Sequence, residues 1–222
     1  MNNINKVRQY IRKILLTEAA KDISLLPKDT HVNIISIDGQ IEVGLLTCTN
    51  INGKRVCSGD LGRITAMKPE RCSGAWEIVG AMAKENWGPF LYDIMMEYVG
   101  EAGLTCDRNV VSKEAASVWD FYLTNRPDVK AVQLDYDGDP FLTYWDKSDD
   151  CGGLSFERRA KYLLRDAEPA TGGRFDPENE KHQQIYLDHW ATKKYIKTTG
   201  TKIIDELKSR RLIQIETEEG YQ

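Results

Sequence analysis

Two short turn sequences constrain this chain most strongly, because each is flanked by apolar runs rich in Ile and Val. The first is Asp38 followed by Gly39, within HVNIISIDGQIEVGLLTC. The second, Asn52 followed by Gly53, precedes KRVCSG. Asp-Gly and Asn-Gly favour tight turns between strands, because both residues tolerate a positive φ. The pattern therefore predicts β-strands joined by short turns.

Two further segments extend this series of strands. GRITAMKP is predicted as a short strand that ends at Pro69. Residues 73–83, SGAWEIVGAMA, are predicted as a largely buried strand. The chain before residue 84 is therefore expected to form a meander of four strands.

The segment after residue 84 changes to a helical pattern. FLYDIMMEYVGEAG is predicted as a helix with Pro89 in its first turn and with Gly100 and Gly103 at its end. LTCDRNVV is predicted as a fifth strand. Ser112 is a candidate N-cap for a second helix, KEAASVWDFYLTNR, which must stop before Pro127. VKAVQLDY is predicted as the last strand of this core.

Segments at both ends flank the core. Residues 1–27 contain an amphipathic helix, because apolar side chains recur at helical spacing from Ile4 to Leu15. Residues 136–222 are expected to form a loop-rich and helical C-terminal extension. We therefore predict an α+β fold with a mixed, mostly antiparallel central sheet in residues 28–135, flanked by helices.

Composition excludes several classes of function. The 222 residues carry a formal net charge of −4, which gives no overall attraction to nucleic acid or membrane. No apolar stretch approaches the roughly 20 residues that a membrane span requires, and the first residues lack the apolar run of a secretory signal. The five cysteines are scattered without a C-x-x-C pair, so we predict reduced thiols, no zinc site and a cytoplasmic protein.

The turn KENWGP joins the fourth predicted strand to the helix after it. Gly88 lets the backbone approach a ligand closely, and a helix N-terminus carries a partial positive charge that favours phosphate. A phosphate-bearing cofactor at this turn is one interpretation, and a well-capped corner without a ligand is the other. The apolar stripe of the following helix, which includes Tyr92, is explained by core packing.

The order of elements and several short motifs resemble the GNAT superfamily of acyltransferases, and more closely a set of tailed-bacteriophage proteins with that kind of core. The residues that show the resemblance are Trp87–Asp93, Asp107–Ala115, Val118–Tyr122 and Arg126–Val129. The resemblance as a whole covers about residues 30–135. One departure is that the two helices usual between the first and second strands are absent.

The resemblance implies an acetyl-CoA site and an amine acceptor, without a metal ion. The residues that would bind the cofactor are Asn86, Trp87, Gly88, Phe90, Arg108 and Ser112. For Arg108, the alternative is that Asp107 and Arg108 tie the end of the fifth strand to the following loop. The family often draws its general base from the fourth strand, which indicates Glu77; a solvated or ion-paired carboxylate is the alternative there. Trp119 stands at the position of the family's tyrosine acid, so Tyr122, one turn further on, is the candidate general acid.

Two other functions stay open. One is a non-catalytic GNAT-like protein of the phage virion or of a host interaction, favoured by the missing early helices and by Trp119 at the position of the family's tyrosine. The other is nucleic-acid contact through residues 181–215, which hold eight Lys or Arg against three acids. A helix with buried apolar residues explains those charges as well. An acidic loop at Asp135, Asp137 and Asp139 lacks EF-hand spacing, so we predict no metal site there.

Overall fold

The computed structural model describes residues 22–68, 74–84, 86–107, 111–134, 151, 179–218 and 220–221. Two predicted features lie outside these residues. They are the amphipathic helix from Ile4 to Leu15 and the acidic loop at residues 135–139. The fold described below is therefore that of the meander, the two helices after it and the C-terminal strands.

The first hairpin follows the prediction. β1 (Thr30–Ile37) pairs antiparallel with β2 (Gln40–Ile51). Between them, φ is 51° at Asp38 and 71° at Gly39. A type I′ turn requires positive φ at both central residues. The predicted hairpin is confirmed.

The second turn is also confirmed, and it leads into a longer strand than predicted. Asn52 and Gly53 have φ of 52° and 78°. They join β2 to β3 (Lys54–Met67), a single strand of 14 residues in place of two predicted runs. β4 (Trp76–Ala83) completes the antiparallel meander. Because its side chains are exposed from Val79 onward, the prediction of a largely buried strand is wrong for that half.

β2 and β3 extend past β1 as a two-stranded arm, which begins after Thr47. In this arm Cys48 and Cys57 lie directly opposite each other, with Cα atoms 4.0 Å apart, and form a disulfide. Cys151 is also disulfide-bonded, whereas Cys106 is a free, buried thiol. The prediction of reduced cysteines is therefore wrong for Cys48, Cys57 and Cys151. The two cysteines of the arm are equally distant from its turn, and that symmetry in the sequence could have indicated the pair.

We expect the double substitution Cys48→Ser with Cys57→Ser to loosen the arm while the rest of the sheet stays folded. Two strands alone are marginally stable in water, and closing a loop of this size stabilises by about 2 kcal/mol. Hydrogen–deuterium exchange of the arm amides should become faster by about tenfold or more. Thr49→Ser, an exposed change in the same arm, is the control. Unchanged protection of the arm in the double variant would contradict this expectation.

A parallel crossover follows the meander. α1 (Gly88–Val99) leads from β4 to β5 (Leu104–Thr105), which pairs parallel with the start of β4. α2 (Lys113–Asn125) then begins where predicted. The Ser112 hydroxyl accepts a hydrogen bond from the Ala115 amide at 3.1 Å, which confirms Ser112 as the N-cap.

The C-terminal segment adds to both sides of the sheet. The remaining elements are β6 (Val129–Gln133), α3 (Glu180–Leu187), β7 (Lys193–Lys197), α4 (Lys202–Ser209), β8 (Ile213–Thr217) and β9 (Gly220–Tyr221). β7 lies between β5 and β6 and pairs antiparallel with both, whereas β8 pairs parallel with β1. The described strands form one sheet in the order β6-β7-β5-β4-β3-β2-β1-β8-β9. The boundary predicted near residue 135 therefore separates segments whose strands share a sheet.

One face of the sheet packs against α1, which is buried along most of its length. Leu91, Ile94, Met95 and Met96 are at most 1 % exposed. Short 3₁₀ turns lie at Ile23–Leu25, Gly100–Ala102 and Trp190–Thr192. The predicted α+β class with a mostly antiparallel sheet is confirmed. Among the described helices, none is both long and apolar enough to cross a membrane.

Candidate functional site

The pairing of β4 with β5 ends early along β4. The two parallel strands pair only over the first two residues of β4, as far as Glu77 opposite Thr105. Val79 is then an extra residue in β4, a bulge that has no counterpart in β3. A bulge bends its strand and increases the local twist. β4 therefore diverges from β5, and its side chains from Val79 to Ala83 are exposed.

A cleft of about 820 Å³ lies beside the diverging end of β4. Lys84, Asn86 and Gly88 line one side of it, and Ser112 and Lys113 line the other. The walls are thus the strand end, the corner after it and the first turns of α1 and α2. A cleft of this size is typical of sites for small molecules and cofactors.

The corner after β4 brings the N-terminus of α1 to the cleft. Asn86 has a positive φ of 69°, and α1 starts at Gly88 without a side-chain cap from Trp87. The amides of Gly88 and Phe90 belong to the first turn and have no acceptor within the helix, while Pro89 has no N–H. Two backbone donors and the positive end of the helix dipole therefore lie at this corner.

α2 brings a second helix N-terminus to the opposite wall. Ser112 caps it, and the exposed Lys113 and Glu114 line the cleft beside the cap. Lys84 adds a cation from the strand side. Among the described lining residues, two lysines stand against one glutamate, and together with the two helix N-termini they favour an anion in the cleft.

The structure brings together three of the six residues predicted to bind the cofactor, which are Asn86, Gly88 and Ser112. Trp87 and Phe90 are 2 % and 3 % exposed, and their rings pack edge to face in the core, 5.7 Å apart. These two contribute backbone at the corner, and their side chains do not line the cleft. Arg108 lies outside the described residues.

Tyr122, the predicted general acid, lies in the core and not in the cleft. It is 1 % exposed, and its hydroxyl is 3.0 Å from the Asp93 carboxylate and 3.1 Å from the Pro89 carbonyl oxygen. Burial raises the pKa of this phenol well above its ordinary value. Because its hydroxyl is directed at α1, Tyr122 links the two helices. This placement does not favour the general-acid role that the resemblance implies for Tyr122.

Glu77, the predicted general base, occupies the last position at which β4 pairs with β5. It is 7 % exposed and does not line the cleft. A general-base role for Glu77 stays a prediction.

Tyr92 packs in the buried core, as the sequence predicts, and it also lines the cleft. It is 3 % exposed and lies one turn after Gly88 on α1. Burial raises the pKa of Tyr92 above its ordinary value, so the phenol keeps its proton at neutral pH. Residues four apart share one helix face. The spacing from Gly88 was therefore a signal that could have identified this side chain.

A network of ion pairs holds α1 in place. Arg126 donates to Asp128 through Nε and Nη2, both at 2.7 Å, and to Asp93 at 2.9 Å. Lys197 at the end of β7 lies 2.7 Å from Asp128 and 3.3 Å from Asp93. The hydrogen bond from Arg126 holds the pKa of Asp128 below its ordinary value. The network joins α1, the start of β6 and β7, and so supports the corner at the head of α1.

The basic C-terminal segment turns its apolar side chains inward. Ile204 and Leu207 of α4 are buried, whereas Lys202 and Lys208 are exposed. This is the arrangement of an amphipathic helix on a protein surface. Nucleic-acid binding through residues 181–215 stays a prediction.

The cleft between α1, α2 and β4 is the site from which a function can be argued. Within the described ranges, no three His, Cys, Asp or Glu side chains are grouped in a way that could hold a metal ion. The function is inferred from the geometry of this cleft, because comparison of the chain with protein-family models, curated proteins and solved structures finds no match.

Proposed function

We propose that the protein is a GNAT-like acyltransferase that transfers an acetyl group from acetyl-CoA to an amine. The observation that supports this most is the convergence of two helix N-termini on a cleft beside β4, beyond the point where the pairing of β4 with β5 ends. The cofactor's diphosphate requires hydrogen-bond donors and a positive potential. In open α/β sheets, ligands bind beyond the carboxyl ends of the strands, and β4 ends at this cleft.

In this proposal the diphosphate binds at the start of α1. The amides of Gly88 and Phe90 donate to phosphate oxygens, and Lys84 and Lys113 add positive charge. Gly88 leaves room for the ligand, because a Cβ added there would meet only the Cβ of Ala83, at 4.0 Å. The pantetheine arm then follows the exposed part of β4 toward β5.

The transfer step requires a polarised thioester and a proton for the leaving sulfur. The amine nitrogen attacks the thioester carbonyl carbon, a C–N bond forms, and the C–S bond breaks with its electron pair on sulfur. We assign the Val79 amide to the carbonyl oxygen, because a bulged residue has no partner in the ladder. Tyr92 gives its phenolic proton to the thiolate and regains one from solvent. The proton that the amine loses passes to water.

Acetyl-CoA binding to a Gly88 variant tests this proposal. Gly88→Glu places a carboxylate where the diphosphate would bind, and it should weaken acetyl-CoA binding by about tenfold or more. An acidic residue in the first helical turn favours the helix itself, so the fold should be retained. Isothermal titration calorimetry measures the affinity, and the rise in melting temperature with added cofactor is a second readout.

Gly88→Ala is the matched control. Its methyl group has ordinary van der Waals contact with Ala83 and no other described atom within 4 Å. This variant should bind acetyl-CoA with nearly the affinity of the wild type. If the wild type does not bind acetyl-CoA at millimolar concentration, or if both variants bind it equally, the proposal fails.

A non-catalytic GNAT-like protein, of a phage virion or of a host interaction, is the second candidate. It is favoured by the position of Tyr122 in the core, with Trp119 where the family has its tyrosine acid. In that case the cleft binds a ligand without transferring a group. Release of free CoA thiol in the presence of amines separates the two candidates, since only the transferase produces thiol in proportion to acetylated amine.

A further inference from the structure

A second cleft, of about 650 Å³, adjoins the first at the end of β4. The two clefts share Met82, Ala83 and Lys84. The floor of the second cleft includes Gly44 of β2 and Gly59 of β3, which have no side chains to fill it. A ligand in either cleft would therefore lie against the same strand end.

The second cleft lies on the sheet face opposite α1. Val43 and Ile64 point into the core and are 0 % exposed. Neighbouring residues of a strand point to opposite faces. Glu42 and Arg63 therefore project from the outer face, where both line this cleft.

Glu42 and Arg63 carry opposite charges that do not pair with each other. Gly44 lies directly opposite Arg63 in the ladder, and Glu42 is two residues along the same strand, so the two charged residues are diagonal neighbours. Within the described part of the chain, neither side chain takes part in a hydrogen bond or ion pair. The missing side chain at Gly44 leaves space between them.

We propose that the second cleft binds an α-amino acid, with its ammonium group on Glu42 and its carboxylate on Arg63. A zwitterion pairs both charges at once, whereas a ligand of single charge leaves one side chain without a partner. Lys84, at the rim, adds a second cation for the carboxylate. Leu46 and Met82 supply apolar surface for the ligand's side chain.

This inference rests on the proposed function in one respect: the bound amino acid is the amine acceptor, whose ammonium group first loses one proton to water and then attacks the thioester as the free amine. The rim that both clefts share, at Met82–Lys84, puts the amino acid beside the site assigned to acetyl-CoA. Binding of the amino acid depends only on the second cleft. The two ideas can therefore be tested separately.

L-Norleucine is the probe, because it combines the zwitterion with an unbranched apolar side chain. Titration followed by the backbone NMR signals of Gly44 and Gly59 should show saturable shifts. n-Pentylamine and hexanoate keep the chain but each has a single charge, and both should bind about tenfold more weakly or worse. Glu42→Gln and Arg63→Met should each weaken norleucine binding by about tenfold.

Glu101→Gln, an exposed carboxylate in the 3₁₀ turn after α1, is the control and should bind norleucine as the wild type does. Absence of saturable shifts at tens of millimolar norleucine overturns the inference. Equal binding of norleucine and its single-charge analogues, or equal affinity of Glu42→Gln and Glu101→Gln, overturns it as well.

The Gly88→Glu variant separates this inference from the proposed function. Norleucine should bind to it unchanged, because Gly88 does not line the second cleft. If norleucine binds while acetyl-CoA does not bind to the wild type, the amino-acid site stands and the transferase proposal falls. If acetyl-CoA binds and norleucine does not, the transferase proposal stands and the amino-acid site falls.

Discussion

Replacing Tyr92 with phenylalanine should lower the turnover of acetyl transfer by about 100-fold or more. The substitution removes only the hydroxyl, since the ring can keep its edge-on contact with Trp119, whose centroid is 5.2 Å away. Burial raises the pKa of Tyr92, so the phenol holds a proton for the leaving thiolate. The KM for acetyl-CoA should change little, because this proton is needed only as charge develops on sulfur.

Thiol release at saturating acetyl-CoA and amine measures this effect. Tyr122→Phe is the matched control, since it removes the hydroxyl of a buried tyrosine that does not line the cleft. It should reduce stability, through the lost contact with Asp93, and leave turnover nearly unchanged. The raised pKa of Tyr92 adds a second readout: wild-type turnover should not fall as the pH passes the ordinary tyrosine value of about 10. Wild-type turnover in Tyr92→Phe would remove this residue from the mechanism.

The elements that the sequence predicts correctly are specified by residues close together in the chain. Asp38 and Gly39 set a turn through their own φ angles, and Ser112 starts α2 with one hydrogen bond to an amide three residues on. Pro127 lies two residues beyond the end of that helix, as its steric effect on the preceding residue requires. These are short-range effects, so a single sequence is enough to find them.

The features that the sequence does not predict depend on contacts between distant segments. β7 lies between β5 and β6, with Tyr195 opposite Leu104. Gly103 is an example, because the sequence predicts it only as a helix end. A Cβ added there would lie 2.9 Å from Ile196 Cγ1 and 3.0 Å from the Tyr195 carbonyl oxygen. The absence of a side chain at Gly103 therefore also lets β7 pack closely against this turn. No local sequence pattern around Gly103 predicts its contact with β7.

The same distinction between local and long-range effects holds in the candidate site. The start of α1 at Gly88 and the cap at Ser112 are backbone features, and both follow from local sequence. Side chains were assigned by their position in a motif, which says nothing about burial. The motif therefore predicts Trp87 and Tyr122 as site residues, although both side chains lie in the core; Tyr92 is in the core as predicted, and it also lines the cleft.

Two of the motifs quoted from the sequence meet in the structure. Asp93 ends the segment that begins with Trp87, and Arg126 and Asp128 belong to the segment before β6. Their side chains form the ion-pair network described above. The presence of both segments thus has a structural explanation, because their ion pairs attach α1 to the sheet. It does not by itself indicate a catalytic role.

Lys197→Met should lower the free energy of unfolding by about 3 kcal/mol at neutral pH. The lysine is 8 % exposed and pairs with Asp128 and Asp93. Methionine keeps much of the volume of the lysine side chain, so the loss of unfolding free energy comes from the missing charge. Asp93 and Asp128 would be left with Arg126 alone, and Glu97 would lose the attraction of this lysine. Leaving buried charges without their partner costs far more than breaking a pair at the surface.

The pH dependence distinguishes this cause from a simple packing defect. Asp128 has a pKa lowered by Arg126 and then by Lys197, so its contribution is present above the unfolded value of about 4 and is lost as the pH falls. Without Lys197 the pKa of Asp128 is lowered less, so the variant loses less of its unfolding free energy as the pH falls. The difference in unfolding free energy between wild type and Lys197→Met, from urea titrations, should therefore shrink from pH 7 to pH 2, and most of the change should come below about pH 3, because folded Asp128 keeps a lowered pKa in both proteins. Lys202→Met, an exposed lysine on α4, should match the wild type at both values. A deficit for Lys197→Met that is the same at both pH values would assign the loss to packing and contradict the electrostatic account of how β7 holds α1.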